Sequence, residues 1–267
     1  MVVRSALGVC ALLAVIAAGC GGSDTAAPPP VEVDGADYAY VMPDEIKGGV
    51  VAMRFRNTGK EPHEFAFVRI GGGHTVDDVI AASEKSGDDL PWLHDVAGPP
   101  VLTPGAEITI TRKLEPGTYA FLCYFPNTKG VRHVQLGMKR QFTVAGDSGA
   151  KLPEPDAVIT AENKRFDIPG LKAGKQTIEL RNASGTGRGF ELATLNPGKT
   201  EADAGRWFGH IESTGRLPAT PAPVTFLGAM QTIPSGTSVF LTVNLEAGRR
   251  YHISDDESGI QADFTPR

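Results

Sequence analysis

The stretch Leu114–Val144, LEPGTYAFLCYFPNTKGVRHVQLGMKRQFTV, decides how the whole 267-residue chain is interpreted. Two β-rich runs flank a loop of turn-forming residues, and this loop carries Cys123, His133 and Met138. A thiol, an imidazole and a thioether on one loop are donors that suit a soft or borderline metal ion. The stretch therefore predicts a β-rich fold in which two strands hold a metal site between them.

A second imidazole is available upstream at His63, in the stretch Asn57–Val68, NTGKEPHEFAFV. His63, Phe65 and Phe67 share one parity, which places the imidazole at the inward-facing end of a strand. Two His and one Cys in a trigonal set, with a weak axial Met, form a type 1 (blue) copper site. The sequence therefore predicts a single copper ion with four ligands: His63, Cys123, His133 and Met138.

The N-terminus has the pattern of a processing signal. A short basic region is followed by an apolar run, Ala6–Ala18, that is too short to span a bilayer stably. Small residues directly precede Cys20, as in the lipobox of bacterial lipoproteins; an ordinary secretory signal is the alternative. We expect residues 1–20 to be a lipoprotein signal ending at the lipidated Cys20, and residues 21–30 to be a flexible tether. These features predict an extracytoplasmic protein anchored to the cell membrane by lipid.

The cysteine count agrees with a ligated thiol. Cys10 leaves with the predicted leader and Cys20 carries the predicted lipid, so Cys123 has no disulfide partner within the mature chain. A lone thiol in an oxidising compartment is prone to oxidation unless it is buried or bound to a metal. A buried inert cysteine is the alternative, and the spacing to His133 and Met138 favours ligation. A backbone amide near the sulfur is expected to tune the site, with Asn57 and Thr58 as candidate contributors.

An internal repeat predicts two domains of the same kind. The segment that begins at Ile46 and reaches Asn57 matches the segment from Leu171 to Asn182 at a constant offset of 125 positions (171 − 46 = 182 − 57). Alternating apolar residues predict short strands in both copies, and capping-box spacing at Thr75 and Thr200 predicts one short helix in each. We therefore expect an all-β protein of two tandem β-sandwich domains. Their predicted ranges are 31–146 and 154–267, joined by a linker at 147–153.

The second copy retains scaffold residues and lacks the four candidate ligands. His63 corresponds to Arg188, Met138 corresponds to Ile260, and Cys123 falls near Ser254–Asp255. The loop that would carry a second histidine is missing. We therefore predict that the second domain, residues 154–267, binds no metal.

These motifs resemble those of the cupredoxin, or blue copper, family. The resemblance lies in N-x-G-…-H-x-F, from Asn57 to Phe65, and in P-G-x-Y-x-F-x-C-…-H-x4-M, from Pro116 to Met138. It covers the first copy, where nine residues between Cys123 and His133 make a longer loop than in many small members; the second copy matches in scaffold only. The resemblance implies a Greek-key β-sandwich, a copper ion held by the four residues named above, and electron transfer.

Composition and motifs narrow the function classes. The formal net charge is −5 and no basic run is present, so we expect no nucleic-acid partner. Copper oxidases and nitrite reductases need extra histidines, usually in His-x-His pairs, whereas this chain has six histidines and no such pair. These observations predict that the protein is not an enzyme. The leading hypothesis is an electron carrier with an unidentified redox protein as partner. A copper-storage or copper-delivery lipoprotein and a metal-free interaction module are the alternatives.

Overall fold

The computed structural model describes residues 28–83, 85 and 90–267. The predicted leader, the predicted lipidation site Cys20 and residues 21–27 of the predicted tether lie outside these residues. Within the described part of the chain, no helix is both long and apolar enough to cross a membrane.

In the N-terminal half, the structure has short strands, one α-helix and a 3-10 turn at His133–Leu136. In chain order these are β1 (Val31–Ala36), β2 (Ala39–Val41), β3 (Glu45–Lys47), β4 (Gly49–Asn57), β5 (Ala66–Ile70), α1 (Val76–Ser83), β6 (Leu93–Asp95), β7 (Glu107–Leu114), β8 (Gly117–Leu122) and β9 (Lys139–Ala145).

The C-terminal half repeats this scheme with a longer helix. Its elements are β10 (Ala157–Ala161), β11 (Phe166–Asp167), β12 (Gly174–Asn182), β13 (Arg188–Leu195), α2 (Glu201–Thr214), β14 (Val224–Ile233), β15 (Ser238–Leu245), β16 (Tyr251–Asp255) and β17 (Ile260–Phe264).

Both helices begin at the predicted capping boxes. The amide of Asp78 donates to the Thr75 hydroxyl, and the amide of Thr75 donates to the Asp78 carboxylate. Thr200 and Asp203 form the same reciprocal pair at the start of α2. One expectation differs in detail, because the predicted β-run from Val31 to Met42 is divided into β1 and β2, which pair as an antiparallel hairpin.

The strands form two layers in each half, as alternating apolar residues require. In the N-terminal half, the strands β7-β4-β1-β2 face the five-stranded sheet β3-β9-β8-β5-β6. In the C-terminal half, β11-β10-β12-β15 face the sheet β14-β13-β16-β17. The N-terminal core is aromatic, with rings such as Phe55, Phe67 and Phe121 packed between the layers. The fold is therefore all-β; the Greek-key connectivity and the domain boundaries stay predictions.

One sheet runs through both halves. Strand β7 pairs with β15 in antiparallel register, and this pair joins two four-stranded sheets into one of eight strands. The pairing centres on Ile110 and Leu241, which are equivalent positions of the repeat at the same offset as Leu114 and Leu245 (241 − 110 = 245 − 114). The two copies are thus related by a local pseudo-two-fold axis at this strand pair, and the shared sheet fixes how the halves are placed.

Candidate metal centre

The loop between β8 and β9 is folded back on itself so that its three candidate ligands meet. Cys123 directly follows β8, His133 opens the 3-10 turn, and Met138 directly precedes β9. The amide of Cys123 donates to the carbonyl of Met138 over 3.2 Å, and the amide of Met138 donates to the carbonyl of His133 over 3.0 Å. These backbone bonds hold the two ends of the loop together, because each ligand's main chain is fastened to that of another.

Asn127 gives the long loop its shape. Its side-chain oxygen accepts hydrogen bonds from the amides of Lys129 and Val131, at 2.9 and 3.0 Å. Gly130 lies between them with φ of 81°, a conformation that side chains disfavour. The nine residues between Cys123 and His133 therefore form a compact, internally bonded turn.

His63 comes from a different segment of the chain, next to β5, which pairs with β8 in the same sheet. It lies just before β5 and forms an isolated antiparallel bridge with Leu102, with backbone hydrogen bonds of 3.1 and 2.9 Å. The buried side chain of Asn57 supports this segment by donating to the carbonyls of Glu61 and Leu102. Asn57 thus positions the histidine segment, and its amide does not point to the cysteine sulfur.

The predicted donors of three of the four ligands converge in a buried pocket. His63 Nδ1 lies 3.1 Å from His133 Nδ1, and Cys123 Sγ lies 3.4 Å from His133 Nδ1. One donor atom from each of the three residues lies within 4.8 Å of the other two, and all three residues have 0% exposed surface. A metal bound by nitrogen and sulfur at about 2.0–2.3 Å separates its donors by about 3–4 Å. The donor set therefore fits a metal ion without a large rearrangement.

Met138 is placed at the same pocket by its neighbours. It is fully buried, its main chain is bonded to both Cys123 and His133, and its methyl group packs against Gly35. A Cβ at Gly35 would come within 3.4 Å of that methyl group and within 2.9 Å of the Phe65 ring. The glycine therefore makes room for the thioether beside the three stronger donors.

Each candidate histidine carries a carboxylate on its far nitrogen. His63 Nε2 lies 2.9 Å from Asp37 Oδ1, and His133 Nε2 lies 2.9 Å from Glu61 Oε2. Tyr38 completes this outer layer: its ring packs on His133 at 4.9 Å between centroids, and its hydroxyl donates to Glu61. Carboxylates at Nε2 hold the rings so that both Nδ1 atoms face the pocket. Neither Asp37 nor Glu61 was predicted from the sequence, although Glu61 precedes His63 by only two positions.

The protonation states suit metal binding. Burial and the nearby His133 together lower the pKa of His63 to about 4, against the opposing effect of Asp37. Burial also lowers the pKa of His133, against the opposing effect of Glu61. Burial and the nearby Glu64 raise the pKa of the Cys123 thiol to about 12. Near neutral pH both imidazoles are thus free bases, and a metal ion would displace the thiol proton on binding.

Glu64 supplies the backbone amide that donates to the sulfur, at 3.3 Å between its N and Cys123 Sγ. Such an amide was expected from the sequence, with Asn57 and Thr58 as the candidates, but the Thr58 hydroxyl donates to the carbonyl of Gly35 instead. Sequence position could have identified Glu64, because it directly follows His63 on an extended segment and its N–H therefore lies beside the ligand. Hydrogen bonds to a ligating sulfur tune the potential of copper sites.

Comparison of the sequence with models of protein families and with curated proteins finds no match. Among solved structures, the chain is similar to reduced auracyanin from the photosynthetic bacterium Roseiflexus castenholzii, at 28% identity and a TM-score of 0.31, covering 45% of this chain and 98% of that one. It is also similar to copper nitrite reductase from Nitrosomonas europaea, at 13% identity and a TM-score of 0.26, covering 90% and 94%. McoA multicopper oxidase from Aquifex aeolicus matches at 12% identity and a TM-score of 0.26, covering 89% and 65%.

The names of these structures, an auracyanin and two copper enzymes, agree with the resemblance to the cupredoxin family. Each TM-score lies below 0.5, however, and the chemistry of the site has to be inferred from its own geometry.

The prediction that the protein is not an enzyme is contradicted by these neighbours. It rested on the low number of histidines and the lack of a His-x-His pair. Yet a copper nitrite reductase and a multicopper oxidase, which are enzymes, align with about nine tenths of the chain. A low histidine count therefore does not exclude an enzyme. Identities of 12% and 13% indicate a shared fold alone and assign no reaction to this chain.

Proposed function

We propose that the protein is a type 1 copper protein that carries single electrons between redox partners, with copper held by His63, Cys123, His133 and Met138. One observation carries the proposal: a cysteine sulfur and two Nδ1 atoms meet in a fully buried pocket. When bound there, copper would supply a one-electron couple.

The protein's own contribution to electron transfer would be a fixed donor set. Backbone hydrogen bonds hold the ends of the ligand loop, and carboxylates hold both imidazoles from outside. Donors that are held in this way change position little when the charge of the ion changes. Small rearrangement is what fast electron transfer requires, so the rigidity of the pocket supports the carrier function.

Burial also separates the carrier from the storage and delivery alternative. The side chains of His63, Cys123 and His133 have no exposed surface. An ion in this pocket could leave only after a local opening of the fold, which would slow exchange. A site that delivers copper needs the opposite property. The metal-free interaction module is disfavoured because the imidazoles would be neutral and turned toward the thiol, as ligands must be.

The cellular context belongs to the proposal as well. We infer from the sequence that Cys20 carries a lipid that anchors the protein on the outer side of the cell membrane, near a redox protein partner. Replacing this residue, Cys20→Ala, should move the protein from the membrane fraction to the soluble fraction. A variant that stays with the membrane would rule out this anchor.

Titration of the metal-free protein with Cu(II), followed by absorption, tests the site itself. We expect an intense thiolate-to-copper band that saturates at one copper per chain. The Cys123→Ser and His63→Gln variants should lose the band while their circular dichroism stays that of a folded β-protein. His252→Gln is the matched control, because that imidazole lies 42% exposed in the C-terminal half. A Cys123→Ser protein that keeps the band, or a wild type that binds no copper, would refute the proposal.

A further inference from the structure

A residue from the C-terminal half reaches the back of the candidate metal centre. Gln231, on β14, donates its main-chain N–H to the carbonyl of Gly98 over 2.8 Å and accepts the Gly98 amide on its side-chain oxygen over 3.2 Å. Its side-chain nitrogen donates to Glu64 Oε1 over 2.8 Å. Gln231 is therefore anchored to the N-terminal half on two sides, 167 positions away from Glu64 in the chain.

Glu64 links Gln231 to Cys123 in two ways. Its backbone N–H donates to Cys123 Sγ, and its second carboxylate oxygen accepts the amide of Tyr124 over 3.0 Å. Tyr124 is the residue that directly follows Cys123. One side chain thus fixes the peptide after the cysteine, while the main chain of the same residue contacts the sulfur. A displacement of Glu64 would change both contacts together.

Gly98 allows the segment that Gln231 binds to lie close to the strand next to His63. A Cβ at this position would lie 1.9 Å from the carbonyl oxygen of Phe65, so only glycine allows the segment to approach the strand that begins after His63. The amide of Phe65 also donates to the carbonyl of Pro99 over 3.0 Å. Gln231 therefore binds a segment that is itself packed directly on the ligand-bearing main chain.

A separate contact holds the far side of the ligand loop. The amide of Leu217, from the connection between α2 and β14, donates to the carbonyl of Asn127 over 3.1 Å. Arg216 packs beside Gly130, where an added Cβ would come within 3.2 Å of its side chain. The C-terminal half therefore contacts the surroundings of the metal centre at two places: Glu64, through Gln231, and the tip of the ligand loop.

We propose that the C-terminal half braces the copper centre, and that Gln231 is the positioning residue through which it holds Glu64 and hence Cys123. This inference rests on the proposed function for its effect on copper, but the brace itself exists without the ion. It assigns a task to the half that lacks the ligands. Gln231 touches neither the thiol nor the imidazoles, and it acts through Glu64 and the Gly98 segment.

The brace should affect the sulfur in a defined direction. The Glu64 N–H bond draws electron density from the cysteine sulfur, which lessens donation to an oxidised ion and favours the reduced state. Loss of the Gln231 contact would loosen that amide. We therefore expect Gln231→Met, which keeps the side-chain volume and removes the amide group, to lower the reduction potential and to alter the energy or intensity of the thiolate-to-copper band.

The matched control is Thr103→Val. Thr103 also reaches across to the C-terminal half, where its hydroxyl donates to the carbonyl of Phe226 over 3.4 Å, but it has no hydrogen bond to Glu64 or Tyr124. The control should lower stability without moving the band or the potential. In a Glu64→Gln background, the side chain at position 64 carries no charge. If Gln231→Met still shifts the band or the potential there, the shift is due to a displaced side chain and not to a changed charge.

A second readout needs no copper. In the chelator-treated, metal-free protein, we measure how fast Cys123 reacts with a small alkylating reagent. Loss of a hydrogen bond to a carboxylate should increase local opening, so Gln231→Met should be labelled about tenfold faster than wild type and Thr103→Val at the wild-type rate. Equal labelling rates in Gln231→Met and wild type would overturn the brace.

The two readouts separate the two proposals. A wild type without a copper band, combined with faster labelling of Gln231→Met, would refute the copper function and retain the brace. A normal copper band and potential in Gln231→Met, with unchanged labelling, would refute the brace and retain the copper function.

Discussion

In the two halves of the molecule, equivalent backbone amides donate hydrogen bonds to different side-chain acceptors. In the N-terminal half, the amide of Glu64 donates to Cys123 Sγ at 3.3 Å. In the C-terminal half, the amide of Gly189, the residue equivalent to Glu64, donates to Asp255 Oδ1 at 2.9 Å. A carboxylate thus occupies the position of the thiol, and the backbone N–H donor is present in both halves.

Strand register shows that this correspondence is structural. Ala66 pairs with Leu122 in the first half, and its equivalent Glu191 pairs with Ser254 in the second. The next residues, Cys123 and Asp255, therefore take the same position at the end of equivalent strands.

The cation differs in kind between the two halves. Arg188 stands where His63 stands in the repeat, and its Nε lies 3.7 Å from Asp255 Oδ2. The side chains are only 10% and 1% exposed. The C-terminal half balances its buried anion with a cation from its own chain, whereas the N-terminal half presents neutral imidazoles and a thiol. At equivalent positions of the scaffold, the choice of a few side chains therefore decides whether a set of metal donors or an ion pair is formed.

Breaking the ion pair of the C-terminal half should give the largest effect. In Arg188→Met, the carboxylate of Asp255 would stay buried without its cation, which costs about 3–5 kcal/mol when one member of a buried pair is removed. Urea unfolding followed by the fluorescence of Trp207, which is buried in the same half, measures this loss of stability.

The double variant Arg188→Met/Asp255→Leu is the control for that measurement. It removes both charges, so most of the lost stability should return. If Arg188→Met were as stable as wild type, the pair of Arg188 and Asp255 would not stabilise the C-terminal half.

The metal-free N-terminal site should be sensitive to acid. The pKa of His63 lies near 4 in the folded protein and near 6.5 when the chain is unfolded. The unfolded state therefore binds more protons in this window, and the stability from His63 is complete above pH 6.5 and is lost as the pH falls toward 4. The full difference amounts to about 3 kcal/mol.

The measurement is the difference in unfolding free energy between wild type and His63→Gln, in the presence of a chelator, from pH 7 to pH 4. A difference is needed because burial raises the pKa values of Glu64 and Glu191 to about 7, which favours the folded state in acid and opposes the histidine. The gap between the two proteins should change by about 3 kcal/mol across this window. A gap that stays constant with pH would contradict the buried neutral imidazole.

Much of the difference between the two halves could be predicted from patterns in the sequence. The spacing of Cys123, His133 and Met138 predicted the ligand loop because a short segment between two strands keeps its ends together. The repeat at a constant offset predicted the second sandwich, and reciprocal side chains at Thr75 and Thr200 predicted both helix starts. The ligand loop and the helix starts depend on residues that are close in sequence, and the repeat depends on matching two segments position by position.

Contacts between distant segments could not be predicted in the same way. The pairing of β7 with β15 is set by which edge strands meet, whereas alternation of apolar residues reports only which face of a strand is buried. The bond from Gln231 to Glu64 spans 167 positions. Asp37 and Glu61 resemble ordinary solvated acids in the sequence, and only the fold places them on the histidine rings.

The smallest expected effect concerns these two carboxylates. The Asp37 carboxylate contacts His63 Nε2, and the Glu61 carboxylate contacts His133 Nε2. Arg188, the repeat equivalent of His63, pairs with Asp255 and has no counterpart of these contacts. Burial raises the pKa of Asp37, but the amide of Lys60 and the His63 ring outweigh it, so the pKa lies below its ordinary value and the group is ionised at neutral pH. An ionised carboxylate that accepts from Nε2 makes the imidazole a better donor at Nδ1.

We therefore expect Asp37→Asn and Glu61→Gln each to weaken copper binding by about 10–100-fold while the thiolate-to-copper band persists. Competition with a chelator of known affinity measures the change. Asp34→Asn is the matched control, since that carboxylate is about equally exposed (23% against 27%) and pairs with Arg56 rather than with a histidine. Equal weakening by the control would show that lost negative charge, and not the hold on the imidazole, accounts for the effect.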